Sequence, residues 1–305
     1  MFKGIAAVFV GACSFGILST FVKLAYAEGF TLGDITGAQV FFGLLILWGI
    51  VLLRQLLRGK SNSSSLKEKL QLVAMGTSTG LVSIFYYKCV QTVPASIAIL
   101  LLMQFTWMSL IMDAILKRKL PTVAQMGMVA LVLLGTSLAG RLFSDQLPSF
   151  DWQGIVFGLL AALCYTFFLT INGAAGNHMH PATKSALLLT GACILVFSIF
   201  PPAFLVNGAL GHGLLKWGLV LAVFGTVVPP LFYAYGIPRT GLGLSAILST
   251  AELPVAVLMS RLVLHEEVWP VQWLGVALIL TAIVLSNLSS IRKSRRKAVA
   301  ATGEV

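Results

Sequence analysis

The chain has 305 residues, 58% of them apolar and only 10% charged, where an ordinary soluble domain carries about a quarter charged residues. That composition excludes a water-soluble fold and predicts an all-α polytopic membrane protein in contact with the lipid bilayer. The net charge of +11 gathers in short connections and in the tail (Arg292, Lys293, Arg295, Arg296, Lys297), a distribution that fixes membrane orientation and argues against nucleic acid as a partner.

Apolar runs separated by polar or Gly/Pro punctuation predict ten spans, near 4–26, 34–56, 70–90, 94–116, 122–140, 152–174, 184–205, 214–236, 241–264 and 270–290. The first run, from MFKGIAAVFV onward, is longer than a signal-peptide core and is expected to stay as a helix. It carries Ser14 and Phe15 at its centre and Lys23 near its far end, where a lysine can snorkel. The third span centres on Thr77-Ser78-Thr79 and ends with Tyr86 and Tyr87. The fourth centres on Gln104, with Trp107 one turn on and Asp113 four residues before Lys117, a spacing suited to an ion pair.

Further along, the sixth span centres on Cys164-Tyr165 and continues through Phe168 and Asn172. It is followed by the loop NHMHP, whose two histidines lack further metal ligands. The eighth carries Thr226, the pair Pro229-Pro230, then Tyr233 and Tyr235. The ninth places Glu252 two residues before Pro254, with Arg261 near its end. Four scattered cysteines (Cys13, Cys89, Cys164, Cys193) form no CxxC pair and read as packing residues; no metal or cofactor is expected.

With the N-terminus inside, Lys3, Arg54, Arg58, Lys60, Lys67, Lys69, Lys117, Arg118, Lys119, Lys184, Arg239 and the tail lie on the cytoplasmic side. Only Lys88, Arg141 and Lys216 fall outside, so both termini are expected to be cytoplasmic in a cell membrane. Shifting the sequence by 148 residues brings the third to fifth spans onto the eighth to tenth: Tyr87 meets Tyr235, Ala98-Ile99-Leu100 meets Ala246-Ile247-Leu248, and Gly127 meets Gly275. Five spans per half makes the repeat inverted in topology, the arrangement behind alternating access. The expected units are residues 1–148, residues 149–291, and a basic tail, 292–305.

Transporter sites tend to lie at the bilayer midplane beside interrupted helices. The polar residues at mid-span are Ser14, Ser78, Gln104, Tyr165, Thr226 and Glu252, drawn from both halves, with Gln104 the repeat counterpart of Glu252. A charged group at mid-helix costs about 2.5–3.5 kcal/mol on insertion scales, so Glu252 should face a cavity or the bundle interior. There it either exchanges protons or meets a cationic substrate group, or it is a neutral glutamate bonded across helices to Gln104. Pro254 should free a carbonyl near Thr250, and Pro229-Pro230 should break the eighth helix, as static kinks or as hinges. Phe15, Trp107, Tyr165 and Phe168 are candidate pocket walls, and Asn172 a lining of the inner vestibule. Tyr86, Tyr87, Tyr233 and Tyr235 read as an interfacial aromatic belt, with Tyr87 and Tyr235 as possible gates.

The first span's FGxxxTFVK pattern (Phe15, Gly16, Thr20 to Lys23) resembles the EamA branch of the drug/metabolite transporter superfamily. So do Glu252-Leu253-Pro254, Leu264-His265-Glu266 and Gln272-Trp273-Leu274-Gly275. Here one residue separates Glu252 from the proline, a rotation of about 100° from an adjacent pair, and His265 stands where that family commonly has glycine. The resemblance covers nearly the whole chain and implies export of amino acids, aromatic ones among them, or related metabolites. Choline and other quaternary amines or drugs are handled in the wider superfamily. No P-loop, HExxH or GxSxG is present, so neither ATP-driven transport nor an intramembrane enzyme is expected. The expectation is a secondary transporter of a small polar metabolite, with protons as a candidate coupling ion. A non-transporting membrane sensor is the remaining alternative.

Overall fold

A computed structural model describes residues 2–58, 64–93, 95–139, 152–265 and 267–302, with side chains undescribed at 95–97 and 287–302. The division at 148/149, Lys60, Arg141 and Glu266 lie outside the described residues. In chain order the helices are α1 (Phe2–Gly16), α2 (Leu18–Ala27), α3 (Leu32–Arg58), α4 (Leu66–Thr92), α5 (Ala95–Leu102), α6 (Phe105–Lys117) and α7 (Val123–Ala139). There follow α8 (Trp152–Ala174), α9 (Pro181–Ile199), α10 (Leu215–Leu221), α11 (Val228–Thr240), α12 (Leu242–Ser249), α13 (Glu252–Val263) and α14 (Pro270–Thr302). Among the described residues, seven helical stretches are long and apolar enough to cross a membrane, and Val123–Ala139 and Pro270–Ser286 are shorter apolar helices. The chain is a multi-pass membrane protein.

Local sequence sets where these helices begin. Ser65 Oγ accepts from the Glu68 N–H at 3.2 Å and Glu68 Oε2 from the Ser65 N–H at 3.0 Å, a reciprocal cap that starts α4. Thr31 with Asp34, and Thr122 with Gln125, make the same exchange at the starts of α3 and α7. His180, one of the two loop histidines, caps α9 through Nδ1, and Pro181 follows at the first helical position.

Short connections make consecutive spans antiparallel, giving a proximal face, where α1 begins, and a distal face, where α2, α4, α7 and α13 end. Glycines permit the closest crossings. A Cβ on Gly76 would overlap the Leu188 backbone, and one on Gly191 the Val73 carbonyl, locking α4 against α9. Gly135 and Gly275 face each other's carbonyls between α7 and α14.

Four expectations are corrected. Three predicted single spans are interrupted: at Ile17 between α1 and α2, at Met103–Gln104 between α5 and α6, and at Thr250–Ala251 between α12 and α13. The last helix runs on to Thr302, past the end expected at 290, because nothing in the tail breaks it. Lys184 is not in a solvated connection but buried at 1% exposure. Its Nζ donates to Asn172 O at 2.7 Å and Asn177 Oδ1 at 3.0 Å, a cation on the carbonyl end of α8. Tyr86, Tyr87 and Tyr233 are not interfacial; all three are buried in the main core, because α4 and α11 extend beyond the apolar runs that define them in sequence.

Candidate functional site

The break before Glu252 differs in detail from what Pro254 alone dictates. Pro254 sits in the first turn of α13, where its missing N–H has no intrahelical partner to lose. Thr250 O is not left free, since Leu253 N–H donates to it at 3.1 Å in a tighter turn. This break puts Glu252 at the first position of α13, 6% exposed, and the backbone there meets α1 so closely that a Cβ on Gly16 would strike Glu252 O.

The Glu252 carboxyl lies among phenols. Tyr165 OH donates to Glu252 Oε2 at 3.5 Å and lies 3.2 Å from Tyr233 OH. Proximal to it, five rings close the bundle. Phe15 meets Tyr165 edge-on at 5.8 Å, Tyr165 stacks on Phe168 at 5.7 Å, Phe105 meets Tyr165 at 4.6 Å, and Tyr233 lies 5.8 Å from Phe168. On the distal side is a chamber of about 40 Å³, lined by Glu252, Phe15, Ser19, Gln39, Tyr86, Tyr87 and Tyr165 among others.

Above that chamber, and sharing Ser19 and Ile99 with it, a cavity of about 730 Å³ opens toward the distal face. Its polar wall is Ser19, Thr20, Lys23, Ser260, Glu267 and Gln272; Leu253, Ala256 and Val257 face them from α13. The order along the bundle axis is therefore open vestibule, small acidic chamber, aromatic plug. On the proximal side Asp113, buried at the end of α6, holds Lys117 Nζ at 2.7 Å. That is the ion pair expected from their spacing, and Asp113 abuts Gly243 in the first turn of α12.

Of the residues singled out in the sequence, Glu252, Tyr165, Phe15, Phe168 and Tyr87 come together here. Tyr87 donates to Gln39 Oε1 at 2.8 Å deep in the core, not at a mouth. Ser14 and Thr226 are buried close by as helix ties. Ser14 Oγ donates to Phe224 O at 2.8 Å, and Thr226 Oγ1 to Ala222 O at 2.9 Å and Gln39 O at 3.3 Å. Phe224 lies in the π-helical segment Ala222–Val227, five residues before Pro229, whose nitrogen has no hydrogen to give. Ser14 thus serves a carbonyl that the Pro229-Pro230 pair deprives.

Other expected members stand apart. Gln104 donates to Leu100 O at 3.1 Å and accepts from Trp107 Nε1 at 2.9 Å; Trp107 is 37% exposed on the bundle's outer surface. Glu252 has Tyr165, not Gln104, as its hydrogen-bond donor. Ser78 Oγ turns to its own helix at Met75 O, and the Asn172 amide donates to Phe168 O. Tyr235 lies under the Arg239 guanidinium, 3.8 Å from ring centroid to Cζ, at the proximal end. Gln39, Ser19 and Thr20, not among the polar residues expected at mid-span, also line these cavities, as does Lys23, expected to snorkel. A lone glutamine inside ITGAQVFFGLLILWG, and the i, i+4 pair Ser19 and Lys23, were the available signals.

The EamA-like transporter family matches residues 2–141 and 152–288. The chain belongs to the EamA-like transporter family. Its similarity includes the threonine/homoserine exporter RhtA of Escherichia coli K12, 27% identical over 233 residues, 76% of this chain and 75% of that protein. An uncharacterized transporter of Archaeoglobus fulgidus is 26% identical over 289 residues, covering 93% of this chain and 96% of that one. A crystal structure 15% identical in sequence shares the fold, with a TM-score of 0.69 over 93% of this chain and 98% of the other. As an EamA-like protein the chain is a membrane transporter and its partner class is a small-molecule substrate.

Proposed function

We propose that this EamA-like protein is a secondary transporter that exports an amino acid or closely related polar metabolite across the plasma membrane by alternating access. The observation that carries the reading is Glu252, a buried carboxyl at the base of a distal cavity, where three chain interruptions meet. An ionisable group at that depth is expensive to insert and marks a pathway for substrate or protons. Resemblance in sequence to a threonine/homoserine exporter supports amino acids as the substrate class. Protons are the coupling ion, taken up and released by Glu252.

The ten-span, 5+5 inverted arrangement is part of the same reading. The interruptions at Met103–Gln104 and Thr250–Ala251 stand 148 residues apart within a residue, and the family match falls in two segments divided between residues 141 and 152. The excess of Lys and Arg on one side supports cytoplasmic termini, an orientation in which the open cavity faces outward and the aromatic plug lies on the inner side.

The test is counterflow of labelled threonine in proteoliposomes loaded with unlabelled amino acids, set beside choline-loaded vesicles. Accumulation above protein-free vesicles with amino acids but not choline is the expected result. Labelled choline that accumulates in choline-loaded vesicles under conditions where threonine does not accumulate moves the substrate class to quaternary amines. Folded protein that moves neither overturns the amino-acid reading.

A further inference from the structure

Resting on the proton-coupled reading above, we infer that Tyr233 and Ser249 are positioning residues that carry the protonation state of Glu252 to the break between α12 and α13. The Glu252 carboxyl, Tyr165 OH and Tyr233 OH form a continuous buried line, with separations of 3.5 Å and 3.2 Å. Tyr233 OH also meets Ser249 Oγ, a fully buried group at the last residue of α12. Among the described residues no other hydrogen bond holds that hydroxyl. Each of the three hydroxyls has one hydrogen to give, so the line points one way at a time.

An ionised Glu252 can only accept. Tyr165 then donates to Glu252, as it does here, Tyr233 donates to Tyr165, and Ser249 donates to Tyr233. When Glu252 takes up a proton from the distal chamber, its new O–H donates to Tyr165 and every hydroxyl turns around. Glu252 keeps the proton, and no phenol ionises. Tyr233 now donates to Ser249, whose own hydrogen turns to the carbonyl one turn back in α12, at Ser245. Back-bonding of this kind bends helices, and here it falls immediately before the Thr250–Ala251 interruption. The first turn of α12 abuts Asp113, paired with Lys117, on the proximal side. A bend in α12 thus bears on the face where the bundle is shut.

The other ionisable groups nearby are Tyr86, Tyr87 and Cys89 of α4, and Cys13 of α1 beside Tyr233. Lys23 of α2 and Glu267 line the vestibule and not the chamber, and no described side chain of α14 lines the chamber. Both cysteines are absent from the cysteine-replaced protein used in the test.

The test reads the outward-open population as the rate at which a maleimide labels Ser260→Cys in cysteine-replaced protein purified in detergent. Each rate is divided by that of the same protein carrying Glu252→Gln at the same pH, which cancels the ionisation of the thiol itself. Without further substitution the ratio should be near one at pH 6. At pH 9 it should be about twofold to tenfold higher, the worth of one hydrogen bond. Tyr233→Phe and Ser249→Ala, each set against its own Glu252→Gln double, should hold the ratio flat between the two pH values. Each removes a single oxygen, and one folded variant is enough to decide. A substitution that acts only through packing changes the labelling at both pH values and leaves the rise in place. A rise retained by either folded variant therefore overturns the inference and leaves the transporter reading intact. A flat ratio without either substitution, in protein whose threonine exchange still depends on pH, overturns it as well. Protein in which neither labelling nor exchange depends on pH overturns proton coupling itself, and the inference with it.

Discussion

In the proposed transporter, Glu252 beside Tyr165 is a carboxyl that is buried and yet answers to a ligand. The hydrogen bond between them is long, at 3.5 Å, and Tyr165 also neighbours Tyr233. A substrate ammonium arriving from the chamber can therefore displace a weak donor without leaving a strong one unpaired. We expect Tyr165→Phe to keep the fold and change apparent substrate affinity by about threefold to tenfold, measured by counterflow at graded threonine. Ser14 has the opposite character, tying a carbonyl next to a proline pair. Ser14→Ala should lower stability by about 1–3 kcal/mol, the cost of a buried acceptor left unmet, read as a lower melting temperature in detergent. Glu252 was legible from sequence because a charge in an apolar run has few bland explanations. Its surroundings were not. Gln104 occupies the matching place in the first half yet turns outward to Trp107, because a span that is apolar on every side carries no periodic signal of which face looks inward.

At the level of helices, the all-helical membrane character and the rough positions of the apolar helices were legible, and their interruptions only in part. Pro254 announces the break at Thr250–Ala251; the one at Met103–Gln104 has neither Pro nor Gly, and only the 148-residue correspondence points to it. The burial of Tyr87 and Tyr233 was not legible for a related reason. Hydropathy locates where a span is most apolar, and a helix that continues past that stretch carries its flanking aromatics into the protein core. Crossings depend on glycines whose neighbours no sequence pattern names. Gly191→Leu should push α9 off α4 and destabilise the protein by about 1–3 kcal/mol or more, visible as loss of monodisperse protein on size-exclusion chromatography or a lower melting temperature. Gly16→Val should instead separate α1 from the start of α13 and depress transport more than stability, since that contact sets where Glu252 stands.

For the whole molecule, the proposed alternating access makes the vestibule open at one face, with the aromatic cluster and ion pair at the other, one end state of the cycle. In a background with Cys13, Cys89, Cys164 and Cys193 replaced, Ser260→Cys should react with an impermeant maleimide from outside. Ser245→Cys, fully buried near the proximal face, should resist labelling from inside. The reverse pattern would contradict the outward-open assignment. The most direct measurement is threonine exchange by wild type and Glu252→Gln at pH 6 and pH 8. Exchange by wild type should differ between the two pH values, because a carboxyl that takes up and releases a proton in each cycle makes rate depend on pH. The variant should be slowed and indifferent to pH. A Glu252→Gln protein with the wild-type rate and the wild-type pH dependence would remove Glu252 from the centre of the mechanism.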